Sequence, residues 1–95
     1  MKRFLISAEF HAPSKARDKV SRVLSSLGET YEPQKSLWIV YSDCTKDEIG
    51  KRVRSVMDNQ DHLLVTNIGG VYFVGQDQGF NKYLTQHINQ HSQVE

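Results

Sequence analysis

The sequence contains little cysteine and no long apolar run. Its single cysteine, Cys44, excludes a disulfide within the chain and fits a reducing compartment. The apolar run Phe4–Ile6 that follows Lys2 and Arg3 is far too short for the hydrophobic region of a signal peptide. No segment approaches the ~20 apolar residues of a membrane span. We therefore expect a cytoplasmic protein that does not associate with membranes.

The sequence also lacks an excess of charge of one sign. Twelve basic and 11 acidic residues give a net charge of +1. A non-specific nucleic-acid binder is usually far more basic, so the total charge does not argue for DNA or RNA as a partner. A length of 95 residues with 38% hydrophobic side chains predicts one domain over residues 1–95, with a fraying tail at 90–95. A domain this small has a thin stability margin, which dimerisation over an apolar face would widen.

The first part of the chain predicts a strand and then a helix. Residues 3–10 alternate, with Phe4 and Ile6 on one face and Leu5 and Ser7 on the other. From Pro13, apolar residues recur at helical spacing up to Leu27, and Gly28 is typical of the residue that follows a helix.

Two strands of unequal strength follow. Residues 29–33 predict a short edge strand that ends at Pro33, because proline cannot donate to the ladder. Residues 36–42 (SLWIVYS) are apolar on both faces, which is typical of a central strand that is covered on both sides.

The remaining segments complete an α+β pattern. Thr45–Glu48 is a capping box that opens a second helix. Residues 63–68 and 71–74, joined by Gly69-Gly70, predict a hairpin, and Phe80 begins a last short helix. The fold class is therefore ferredoxin-like: a βαββαβ sandwich with both helices on one face of an antiparallel sheet, plus an extra C-terminal strand and short helix.

The order and spacing of several segments resemble a known family. The segments are LISAEF at 5–10, LG at 27–28, KSLWIV at 35–40, DHLLV at 61–65, GG at 69–70 and FNKYL at 80–84. Over residues 3–88 they resemble the small CRISPR-associated nuclease of the spacer-adaptation complex. They are closer still to its short relatives, which are often labelled SinR-family proteins.

The resemblance implies a homodimer of ferredoxin-like subunits with opposed open sheet faces. The residues that we expect at the interface are Leu5, Ser7, Trp38, Val40, Tyr72 and Phe73. For Trp38, the sequence is equally consistent with a position in the core. In nuclease members, an aspartate at the end of the first strand of each subunit holds a divalent metal at the dimer axis. Glu9 occupies that position here, and Ala8 stands where a tyrosine is common.

Two function classes follow from these matches and departures. The first is a non-catalytic homodimeric module that binds nucleic acid or a protein partner, and we favour it because the catalytic position departs from the family pattern. The alternative is an endonuclease for RNA or DNA in which paired Glu9 carboxylates hold Mg²⁺ or Mn²⁺. A third, weaker hypothesis is a toxin–antitoxin or phage-defence component, because a fold does not fix a function.

Basic residues on the two predicted helices are candidates for phosphate contacts. They are Lys15, Lys19 and Arg22 on the first helix and Lys51 and Arg54 on the second. In a dimer they would form a band that follows a nucleic-acid backbone. The alternative is that they are the solvated faces of two amphipathic helices, because Asp18, Asp47 and Glu48 lie among them.

Overall fold

The computed structural model describes residues 1–70, 72, 75 and 78–87, and it has the predicted ferredoxin-like architecture. Four strands pair in the order β2-β3-β1-β4, and every pair is antiparallel. The β3 strand lies between β1 and β2, which is the split βαβ arrangement. The elements are β1 (Lys2–Glu9), α1 (Pro13–Leu27), β2 (Gly28–Gln34), β3 (Leu37–Ser42), α2 (Lys46–Arg54), β4 (His62–Asn67) and α3 (Gln78–His87).

The main core lies between one face of the sheet and the two helices α1 and α2. Its fully buried residues are Phe4, Ile6, Val20, Leu24, Trp38, Val40, Ile49 and Val53. The Trp38 indole N–H donates to the Ser21 hydroxyl at 2.9 Å, which satisfies the polar atom of this buried ring. The helical spacing and the central position of β3 are therefore confirmed.

The predicted capping box opens α2. The Glu48 N–H donates to the Thr45 hydroxyl at 3.1 Å, and the Thr45 N–H donates to the Glu48 carboxylate at 2.7 Å. The hydrogen bond from the Thr45 N–H is the largest cause that lowers the pKa of the Glu48 carboxyl, followed by the Thr45 hydroxyl. The helix therefore begins where the sequence predicts.

A second, smaller cluster lies on the opposite face of the sheet, where α3 packs. Ile39, Phe80 and Tyr83 are buried there, with Tyr31 and Leu5 against them. The Tyr83 hydroxyl is within hydrogen-bond distance of two carbonyl oxygens, that of Glu29 at 2.8 Å and that of Ile39 at 3.0 Å. The predicted short helix is therefore present. The predicted extra strand at 71–74 lies outside the described residues except for Tyr72, and so does the tail at 90–95.

Gly28 follows Leu27 as predicted, and its N–H donates to the Leu24 carbonyl oxygen at the end of α1. Its backbone is extended (φ 171°), so Gly28 also begins β2. Two other local predictions are wrong. The β2 strand continues past Pro33 to Gln34, because the proline lies at an irregularity of an edge strand, where no ladder donor is needed. Neither Gly69 nor Gly70 has the left-handed φ that a two-residue hairpin turn requires.

The strand register overturns part of the predicted subunit interface. Trp38 and Val40 are 1% and 0% exposed and face the helices, because they pair with Ile6 and Phe4 of the core-facing set. Leu5 and Ser7 belong to the other face of the sheet. Side chains alternate between the two faces along each strand, so the sequence divides every strand into two sets. Only the register between strands shows which set of one strand lies on the same face as which set of its neighbour.

Candidate functional site at the ends of β1 and β4

The last residue of β1 lies beside the first residue of β4. Glu9 pairs with His62 across the two strands, and a Glu9 carboxylate oxygen is 3.8 Å from His62 Nδ1. Both side chains are open to solvent, with exposures of 85% for Glu9 and 77% for His62. Ser7 and Leu64 border the same shallow depression, which has a volume of about 390 Å³. An acid, an imidazole and a hydroxyl therefore share one patch of the second sheet face.

The patch does not form a metal centre within one subunit. No group of three or more histidine, cysteine, aspartate or glutamate side chains in the described part of the chain could hold an ion. Mg²⁺ prefers octahedral oxygen ligands, and here Glu9 supplies the single carboxylate. The predicted Mg²⁺ or Mn²⁺ site therefore needs carboxylates from a second subunit.

Asp61 holds the loops that bring Glu9 and His62 together. Its carboxylate accepts the His11 N–H at 2.7 Å and the Asp58 N–H at 2.8 Å. The His11 N–H is the largest cause that lowers the pKa of the Asp61 carboxyl, although partial burial acts to raise it. The sequence indicates only a polar break at 58–61, so this role was not predicted. The contact between residues 50 positions apart depends on the tertiary fold.

The structure places the predicted phosphate-binding residues on two sides of Asp61. Lys19 on α1 lines a groove with the end of α2, whereas Lys51 and Arg54 line a separate depression next to β4. Arg22 is exposed on α1, and the Lys15 side chain lies outside what the structure describes. A continuous band across both helices remains a prediction.

An apolar residue that was not predicted to be exposed lies on the half of the second sheet face that α3 does not cover. Leu64 is 54% exposed and pairs with Ser7 of β1. Leu5 is half-buried against the α3 cluster. Of the other predicted interface residues, Tyr72 is 68% exposed and Phe73 lies outside the described residues. The strand pattern around residue 64 is apolar on both faces, so the sequence alone could not show that Leu64 is exposed.

Comparison with known proteins identifies the fold. No family model matches the chain, and no curated protein matches it. One solved structure with a similar fold is the crystal structure of a hypothetical protein, TT1823, from Thermus thermophilus. The likeness has a TM-score of 0.65 and 24% sequence identity, and it covers 80% of this chain and 94% of the other. None of the helices in the described part of the chain is long and apolar enough to cross a membrane. At this level of identity, the likeness shows a shared ferredoxin-like fold and nothing more specific.

Proposed function

We propose that the chain is a non-catalytic homodimeric binding module, related to the CRISPR adaptation nucleases, that binds nucleic acid or a protein partner. The observation that carries the proposal is that the described residues cover only half of the second sheet face. The α3 helix packs on the β2–β3 half, whereas Leu64 on the β1–β4 half is exposed. A second copy that covers this half would remove apolar surface from water at each Leu64.

The composition of this surface supports a second copy as its occupant. Glu9 and His62 carry opposite charges when the imidazole is protonated, and both are exposed beside Leu64. A twofold arrangement buries the same patch on each subunit, so each patch must complement itself. A patch that contains an acid, a base and an apolar side chain satisfies this condition, because each subunit offers the group that the other needs.

Leu64→Lys is expected to convert the dimer to a monomer. The substitution removes apolar area and places a charge in both halves of a twofold contact, so we expect dissociation to become easier by at least about a hundredfold. Sedimentation equilibrium would give the wild type a mass of twice the 10.9 kDa chain and the variant a mass near one chain.

Gln60→Lys is the matched control for this experiment. It adds the same charge at an exposed loop position outside the surface and should leave the mass unchanged. A monomeric wild type at high concentration would contradict the proposed dimer. So would a Leu64→Lys protein that remains a dimer.

A metal-dependent endonuclease is the second candidate, and the position of Glu9 favours it. Glu9 lies at the end of β1 on the same half-face as Leu64, so a dimer over this face would bring two copies of the carboxylate towards each other. The metal would activate a water molecule and stabilise charge at the phosphate. Among the residues that the structure describes, no other group of one subunit completes such a site.

A cleavage assay with Glu9→Gln decides between the two candidates. We expect no cleavage of labelled single- or double-stranded RNA or DNA with Mg²⁺ or Mn²⁺, either by the wild type or by Glu9→Gln. Cleavage that disappears both with EDTA and in the variant would establish the nuclease and overturn the non-catalytic proposal. The residual activity of a contaminant would persist in the variant, so the variant is the essential control.

A further inference from the structure

A depression beside α2 lies on the opposite side of the sheet from the surface that contains Leu64. It has a volume of about 670 Å³, which is within the range of about 300–1,000 Å³ for small-molecule sites. Its lining residues are Gly50, Lys51, Arg54, Ser55, Asp61 and Leu63. Leu63 packs against the helix-side core, so its side chain belongs to the face away from Leu64.

Gly50 lies in the interior of α2, and the described part of the chain gives no structural reason for a glycine there. A glycine inside a helix costs about 1 kcal/mol relative to alanine. Its φ is not in the left-handed region, and a Cβ at this position would meet nothing within 4 Å. Neither backbone conformation nor packing therefore requires glycine here. Its effect is to leave the floor of the depression open.

Two cations border this open floor. Lys51 and Arg54 are three positions apart on α2, so both lie on one side of the helix. Arg54 Nη1 donates to the Asp61 carbonyl oxygen at 3.0 Å, which fixes the guanidinium while using one of its five donors. The guanidinium is therefore oriented before any ligand arrives.

The one acidic side chain in the depression, Asp61, already accepts hydrogen bonds from the protein backbone. The Asp61 side chain is nearly buried, and both its carboxylate oxygens accept backbone N–H groups, from His11 and Asp58. It does not form an ion pair with Lys51 at salt-bridge distance. The Asp61 carboxylate remains charged and attracts Arg54, but the two cations outnumber it, so the net charge at the rim is positive.

We infer that this depression binds a phosphate monoester attached to a flat apolar ring, as in a nucleoside monophosphate or the 5′ end of an oligonucleotide. A phosphate dianion matches two adjacent cations better than a carboxylate does, and guanidinium binds phosphate oxygens in a fork. The ring would lie over Gly50 and against Leu63, where a side chain at position 50 would otherwise stand. The inference does not depend on the proposed dimer, because it uses the other face of the sheet.

The test is an NMR titration of the full chain with adenosine 5′-monophosphate, inorganic phosphate and adenosine. We expect the monophosphate to shift the amide signals of Gly50 and Leu63 and to bind at least about tenfold more tightly than either fragment. Lys51→Gln should weaken binding by about tenfold, because a charge-assisted hydrogen bond is lost. Gly50→Met should abolish binding by filling the floor, and it should keep α2 folded because methionine is a better helix former.

Arg52→Gln is the matched control, since Arg52 is an exposed cation of the same helix outside the depression. It should bind as the wild type does. A 5′-phosphorylated dinucleotide and its 5′-hydroxyl counterpart distinguish a free nucleotide from an oligonucleotide end. The inference is overturned if 10 mM monophosphate, on the order of the weakest meaningful affinity, leaves Gly50 and Leu63 unshifted. Equal loss in Arg52→Gln and Lys51→Gln, or equal binding of inorganic phosphate and monophosphate, would also overturn it.

Discussion

Gly28→Ala is expected to destabilise the protein strongly. An added Cβ would collide with the backbone carbonyl oxygen of Tyr41 and lie 2.9 Å from the Cβ of Ser42. These atoms belong to β3, which pairs with β2 on one side and β1 on the other. A shift of β3 away from Gly28 would therefore disturb the pairing of both neighbours. We expect a loss of about 2–4 kcal/mol in the free energy of unfolding.

The same neighbourhood contains a buried hydrogen-bond arrangement that a shift of β2 would disturb. The Ser42 hydroxyl donates to the Leu27 carbonyl at 2.7 Å and accepts the Cys44 N–H at 3.0 Å. Ser42 is fully buried. If it lost these partners, its hydroxyl would have neither a protein nor a water hydrogen-bond partner, which would destabilise the folded state. The chain can relieve the clash at Gly28 only by weakening this arrangement or the β2–β3 ladder.

Urea unfolding measures the effect, and Gly50→Ala is the matched control. It makes the same chemical change where a Cβ meets nothing within 4 Å, and we expect it to stabilise the protein by up to about 1 kcal/mol. Opposite signs for the two variants would show that Gly28 is required for close approach between strands. Equal effects would contradict the packing of Gly28 against β3.

Phe80→Ala is expected to detach α3 from the second face of the sheet. Phe80 is 1% exposed, and its ring centroid lies 5.4 Å from that of Tyr31. Replacing a buried phenylalanine by alanine costs about 3–5 kcal/mol. The helix makes its described contacts through this ring and Tyr83, so the loss should appear first as local undocking.

Undocking would expose Ile39, which is 3% exposed in the intact protein. Backbone hydrogen exchange at α3 should rise by at least about a hundredfold, while the β1–β3 ladder remains protected. Tyr72→Ala is the matched control, because it removes an aromatic ring that is 68% exposed and should leave exchange at α3 unchanged. Unchanged exchange in Phe80→Ala would show that α3 does not depend on this ring.

Tyr83→Phe tests the polar half of the same contact. Burial, with the nearby Glu29 carboxylate, raises the pKa of the Tyr83 phenol, which therefore remains a neutral hydrogen-bond donor. The variant keeps the ring and removes the donor to the Glu29 and Ile39 carbonyls. We expect it to raise exchange in α3 by less than Phe80→Ala does, because the apolar contact survives.

The sequence by itself determined the elements whose signals are local. The spacing of apolar residues from Pro13 to Leu27 specifies α1, and the Thr45–Glu48 pair specifies the start of α2, because both depend on residues a few positions apart. The run at 36–42 identified the central strand, since a strand that is apolar on both faces must be covered on both. These elements in order predicted the ferredoxin-like class.

Only the tertiary structure decided which faces and loops meet. The alternation along each strand places Leu5 and Phe4 on opposite faces, and likewise Trp38 and Ile39. The register of β1 against β3 was needed to show that Leu5 shares a face with Ile39, and Trp38 with Ile6. Two contacts join residues about 50 positions apart: the hydrogen bond from the His11 N–H to the Asp61 carboxylate, and the pairing of Glu9 with His62. No local pattern encodes such contacts, because they form only after the strands between them have paired. The same reason explains why the sequence predicted Gly28 at the end of α1 but not its close approach to Tyr41 and Ser42 of β3.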